Sequence, residues 1–165
     1  MRLTRFTDYS LRVLMAVALR PGQRVTIGEL AQALDLPANH LSKVVRFLGQ
    51  RGWVATTRGK GGGMTLGLPA AAINLGEVVL AAEGPAEPAE CFEAGGAARC
   101  NLAPSCRLHG LLAEAADAFH EVLDRHTLQD LMLSGERMHQ VLFPDPYRRP
   151  DRPADAGRPA TQRQP

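Results

Sequence analysis

Residues 26–48 read TIGELAQALDLPANHLSKVVRFL, and this stretch decides the fold. Thr26 and Glu29 have the spacing of a capping box, which opens a helix. Ile27, Leu30, Ala31 and Leu34 fall on one face of it. Asp35, Leu36 and Pro37 interrupt the pattern, because the residue before a proline is driven out of helical geometry. A second helix follows, with Leu41, Val44, Val45 and Leu48 apolar and Asn39, His40, Ser42, Lys43 and Arg46 on its other faces. Two short helices across a tight turn form a helix-turn-helix, whose second helix enters the major groove N-terminal side chains first.

Working outward, Gly52 stops this second helix. Two strand-like stretches follow, Trp53–Thr57 and Met64–Leu68, separated by Arg58-Gly59-Lys60-Gly61-Gly62-Gly63. Glycines let the backbone come close and cations meet phosphates, so this tip reads as a basic wing carrying Arg58 and Lys60. No Ser or Thr follows the Gly-Lys pair, and the run lies in a hairpin, so it is not a nucleotide-binding loop. On the N-terminal side, Phe6–Arg20 reads as a helix with Leu11, Leu14 and Ala18 on one face, ended by Pro21-Gly22. On the C-terminal side, Ile73–Glu83 reads as a short helix. The expected fold is mainly α with a small β wing, a winged helix-turn-helix domain over residues 1–83.

Charge supports a polyanionic partner for this half. Met1–Leu68 holds ten Lys/Arg and three Asp/Glu, a balance of +7, whereas Pro69–Phe143 holds four against eleven, a balance of −7. A basic front is the electrostatic footprint of a nucleic-acid-binding face. Asn39 can read adenine, Lys43 guanine or phosphate, and His40, Ser42 and Arg46 complete the set of candidate DNA contacts. No apolar run is long enough to span a membrane, so a cytoplasmic protein is expected. No nucleophile–base pair, nucleotide loop or paired acids argue for an enzyme.

The segment 84–106 holds all three cysteines, Cys91, Cys100 and Cys106, in a stretch rich in Ala, Gly and Pro. An odd number in a reducing compartment favours metal or redox chemistry over disulfides. Their spacing is looser than the tight pairs of structural zinc sites, so an iron–sulfur cluster fits better, with zinc as the alternative. A fourth ligand must come from elsewhere, and Asp8 and His109 are the candidates. A long helix runs from about Cys106 to Arg125. Its Leu108, Leu112, Ala115, Phe119 and Val122 step like a coiled-coil seam, although packing on its own domain is the plainer use. Residues 107–143 therefore read as this helix plus a short one at Leu128–Leu133. Residues 144–165, with six prolines in 22 positions, read as a disordered Pro/Arg-rich tail.

Several motifs together resemble the NsrR family of bacterial nitric-oxide-sensing repressors. They are Met1–Thr4 with Phe6–Tyr9 and Leu11-Arg12, Asn39–Val44, Arg58–Leu66, Pro104–Leu108 and Thr127–Leu131. The resemblance covers about Met1 to Phe143. It implies a homodimer on double-stranded operator DNA of nitrosative-stress genes, with a long dimerisation helix and nitric oxide as signal. It implies that Cys91, Cys100 and Cys106 hold an iron–sulfur cluster, with Asp8 of the partner subunit completing a 4Fe–4S site. The sister IscR regulators use a histidine three residues after the third cysteine on a 2Fe–2S cluster, and His109 occupies that place here. Both ligands are on offer, so a regulator of iron–sulfur biogenesis or redox response is the alternative. The gap between Cys91 and Cys100 is longer than in those repressors, which an insertion such as Glu93–Ala98 accounts for.

Overall fold

The computed structural model describes residues 2–144. The expectation of a disordered tail concerns residues 145–165, which lie outside those described. Helix α1 (Arg5–Ala18) is capped by Thr4, whose hydroxyl accepts from the Thr7 amide at 3.3 Å. It lays Val13, Leu14, Ala16 and Val17 into the core. Helices α2 (Ile27–Leu34) and α3 (Ala38–Gln50) form the helix-turn-helix. The capping box is present, with the Thr26 amide donating to Glu29 Oε2 at 2.7 Å and the Glu29 amide to Thr26 Oγ1 at 3.2 Å. Asp35 turns the chain in the left-handed region, at φ 51°, which a short polar side chain tolerates better than most.

Strands β1 (Val54–Thr57) and β2 (Gly63–Leu66) pair antiparallel, Val54 opposite Leu66 and Thr57 opposite Gly63. Val25 adds a bridge to Met64, so the segment before α2 buttresses the wing. Leu30, Leu41, Val44, Leu48, Trp53 and Met64 close the core between the three helices and the sheet. Helix α4 (Leu75–Glu83) follows. Ile73 precedes the helix in extended geometry, although its side chain is fully buried.

The cysteine segment contains three single 3₁₀ turns, Glu90–Phe92, Ala97–Arg99 and Ala103–Ser105. It leads into α5 (Arg107–Asp124). The end of α5 returns to the head: the Leu75 amide donates to the His126 carbonyl at 2.9 Å, and the Leu128 amide to that of Ile73 at 2.8 Å. Gly76 makes this approach possible, because a Cβ there would collide with the Asp124 carboxylate.

One expectation is corrected. A single short helix at Leu128–Leu133 is in fact α6 (Leu128–Leu131), a 3₁₀ turn, and a further helix α7 (Gly135–Leu142). Alone, α7 is short and starts on glycine, both unfavourable for an isolated helix; Leu142 and the following Phe143 pack on the core. The apolar stripe of α5 is divided. Leu112 and Phe119 are half-buried, while Leu108, Ala115 and Val122 are exposed in line with Leu111.

Candidate nucleic-acid interface and metal centre

Asn39, His40, Ser42, Lys43 and Arg46 are all exposed on α3, and Arg58 and Lys60 are exposed at the wing tip. The structure thus presents the seven candidate contacts on two adjoining projections. Two are oriented by local hydrogen bonds and a third by a ring stack. Asn39 Oδ1 accepts from the His40 amide at 2.9 Å. Ser42 Oγ donates to the Ala38 carbonyl at 2.8 Å, leaving its lone pairs outward. His40 stacks on Tyr9 of α1, with centroids 6.2 Å apart and planes 30° apart. The wing tip is a tight turn in which Gly59 (φ 93°) and Gly61 (φ 76°) adopt left-handed geometry, available to glycine at little cost. Arg24 Nη1 donates to the Gly61 carbonyl at 3.0 Å. Sequence reading missed Arg24, because its tie to a tip 37 residues away has no local signal.

The cysteines are placed in a common way. Cys91 lies inside the first 3₁₀ turn, Cys100 ends the second, and Cys106 both follows the third and caps α5. All three cysteines are free and half-buried. Gly95 and Gly96 fold the second turn onto the first, and a Cβ on Gly96 would strike the Glu90 carbonyl. An Arg99–Glu93 pair at 3.3 Å closes this excursion, so the Cys91–Cys100 gap is taken up in a compact turn. His109 lies parallel to Phe92, with centroids 4.3 Å apart and planes at 2°, which sets the first turn of α5 beside the residue after Cys91. Asp8 lies apart on α1, paired with Arg12 at 3.0 Å.

Among the described residues, no three His, Cys, Asp or Glu side chains of the single chain converge closely enough for one metal ion. The donor set still fits an iron–sulfur cluster. Three soft thiols sit on short turns of one accessible segment, and such a cluster spans more space than a lone ion.

Glu83, at the end of α4, joins the two halves. It accepts from the Thr4 amide, the cap of α1, at 2.7 Å. Burial works to raise its pKa, but hydrogen bonds from Thr7 and Thr4 outweigh it and hold the carboxyl below its ordinary value.

The exposed recognition helix, the basic wing and the three-thiol segment define a winged-helix transcriptional regulator with an appended candidate metal centre. The chain belongs to the Rrf2 family, described as iron-dependent transcriptional regulators, whose model matches residues 3–134. It is 44% identical over 143 residues to the HTH-type transcriptional regulator NsrR of Bacillus subtilis, covering 86% of this chain and 97% of that one. It is 40% identical over 143 residues to the NsrR of Bacillus licheniformis, covering 86% and 99%. The resemblance read from the motifs is therefore borne out. Among solved structures, CymR, the global cysteine regulator of B. subtilis, superposes with a TM-score of 0.64 at 30% identity over 79% of this chain and 95% of that one. IscR of T. potens shares the fold, with a TM-score of 0.65 at 20% identity over 83% and 90%.

Proposed function

We propose that this regulator is a homodimeric repressor in the cytoplasm that holds an iron–sulfur cluster, senses nitric oxide through it, and then releases the operator DNA of nitrosative-stress genes. The observation that carries this reading is the Asp8–Tyr9 step of α1: one residue is a candidate ligand and the next stacks on His40 of the recognition helix. Cys91, Cys100 and Cys106 would hold the cluster, with Asp8 of the partner subunit as fourth ligand. Bound there, a 4Fe–4S cluster would supply iron that reacts with nitric oxide, and the iron held by Asp8 would be the more easily displaced from its ligand, because a carboxylate is a weaker donor to iron than a thiolate.

The chain's own residues then act as the switch. While Asp8 is held as a ligand, α1 is fixed against the partner, and Tyr9 fixes His40 and the start of α3. Once free, Asp8 returns to Arg12, the pairing seen at 3.0 Å. The two recognition helices lose the separation that a palindromic operator demands. A hundredfold loss of operator affinity requires about 2.8 kcal/mol between the two states.

Dimerisation is supported by α5. Leu108, Leu111 and Val122 are 60%, 61% and 47% exposed in one stripe, which a second α5 would cover.

One observation favours a second reading. His109 is stacked on Phe92, the residue after Cys91, and its side chain is exposed, so it could serve as fourth ligand on a 2Fe–2S cluster of the IscR kind.

Iron and sulfide content with the absorption spectrum of anaerobically purified protein tests both readings, before and after nitric oxide. Four iron per chain, lost on Asp8→Ala but kept on His109→Ala, is expected, together with release of duplexes that the protein selects from a random pool. Two iron per chain dependent on His109 favours the second reading. Colourless protein with stoichiometric zinc defeats both.

A further inference from the structure

Two hydrogen bonds at the start of α3 decide what its neutral side chains have left to offer DNA. Asn39, Ser42, Lys43 and Arg46 are exposed and follow one another at the spacing of a single helix face. Ser42 Oγ donates to the Ala38 carbonyl at 2.8 Å. A serine hydroxyl has one hydrogen and two lone pairs, so Ser42 faces outward as an acceptor alone. Pro37, the N-cap of α3, brings no side-chain acceptor to the helix start. Asn39 supplies one: its Oδ1 accepts from the His40 amide at 2.9 Å, an amide that also reaches the Pro37 carbonyl at 3.0 Å. The bond turns Oδ1 back to the backbone and leaves Nδ2, with its two hydrogens, as the outward group.

We propose that Ser42 and Asn39 read two base positions of opposite kind in each operator half-site. Ser42 accepts from an exocyclic amino group, adenine N6 or cytosine N4, on the strand that it faces. Asn39 donates to a purine N7, guanine O6 or thymine O4, which excludes cytosine. The inference rests on the operator-binding reading above and names the chemistry of its target. In the major groove the only hydrogen-bond donors are those two amino groups. Phosphate oxygens only accept, so a Ser42 whose hydrogen is held by Ala38 has no bond to offer the DNA backbone. Both residues lie in the N-terminal part of α3 (Ala38–Gln50), the end that meets base edges in this fold. Residues three apart on a helix have Cβ atoms about 5–6 Å apart, against a rise of about 3.4 Å per base pair, so the two contacts fall on base pairs one or two steps apart. Bidentate pairing of Asn39 with adenine needs Oδ1 and Nδ2 together, and the His40 amide already holds Oδ1. Lys43 and Arg46 carry donors alone and suit phosphate or guanine.

The full chain, purified anaerobically, and its Ser42→Ala and Asn39→Ala variants are each used to select duplexes from a random pool. Both side chains are exposed and alanine is the better helix former, so matching thermal midpoints are expected. The wild type should select adenine or cytosine over guanine and thymine at one half-site position, and Ser42→Ala should lose that preference alone. Asn39→Ala should admit cytosine at a position one or two steps away. Anisotropy titrations then use the selected duplex with a base analogue that lacks the exocyclic amino group at the Ser42 position. The wild type should bind it about three- to tenfold more weakly, the worth of one neutral hydrogen bond, and Ser42→Ala should bind both duplexes alike. A Ser42→Ala variant that weakens on every sequence equally, or that keeps the wild-type preference, overturns the proposal. Wild-type selection of guanine or thymine at the position that Ser42→Ala relaxes also overturns it. A wild type that enriches no sequence overturns the operator-binding reading along with it, whereas a wild type that selects a palindrome unaltered in both variants overturns this inference alone.

Discussion

Tyr9 and His40 stack across the junction of α1 and α3, with ring centroids 6.2 Å apart. The contact links the residue beside a candidate cluster ligand to the N-terminal turn of α3, which carries the candidate DNA contacts. Aromatic pairs of this kind contribute roughly 0.5–1.5 kcal/mol. Tyr9→Ala should therefore weaken operator binding by about three- to tenfold and, because Tyr9 also packs against the core, lower the thermal midpoint, and Tyr9→Phe should retain both. Anisotropy titrations alongside thermal melts check this. Equal loss in both variants would assign the effect to the hydroxyl.

Arg24 holds the Gly61 carbonyl yet remains exposed, so it either braces the wing or also meets phosphate. Arg24→Ala should reduce affinity severalfold and make the salt slope shallower by about one, as should Lys43→Ala if it holds phosphate. A loss of affinity at Arg24 with unchanged slope identifies bracing alone. Relaxed base preference for Lys43→Ala identifies an edge contact.

Leu111 is 61% exposed on α5, so replacing it disturbs the single chain little, within about 0.5 kcal/mol. Leu111→Glu should nonetheless shift the protein towards monomer, because two carboxylates would be buried in the seam. Sedimentation velocity reads this directly. A dimer of undiminished stability would mean that α5 is not the interface.

Glu83 and Glu29 both have carboxyls held below their ordinary values. For Glu29 the causes are the Thr26 amide first and Arg20 second; for Glu83, burial opposes the lowering and bonds from Thr7 and Thr4 prevail. A lowered carboxyl contributes stability above its unfolded-state pKa, and that contribution disappears as pH falls through the folded value. Stability should therefore decline from about pH 4.5 downward. In Glu83→Gln the decline should be less steep, with part of the stability already missing at pH 7. Urea melts from pH 3 to 7 measure it.

Much of the head was legible because its signals are local. The Thr26–Glu29 box, the break at Pro37 and the apolar spacing through Leu48 each lie within one helical turn or one junction. The glycines of the wing likewise announce their own turn. The candidate DNA side chains followed, since residues opposite a buried stripe must face outward. By contrast, α7 has no strong local signal and forms through Leu142 and Phe143 packing on a surface made by α1 and α2.

The sequence by itself determined the helix-turn-helix, the basic wing and the grouping of three thiols, because periodicity, capping and charge are properties of neighbouring residues. Only the tertiary structure decided which side of α5 stays exposed, that Arg24 joins the wing, that Glu83 caps the approach to α1, and that Tyr9 touches His40. Those relationships join residues 31 to 79 positions apart, and nothing but the packing of the core fixes which of them meet.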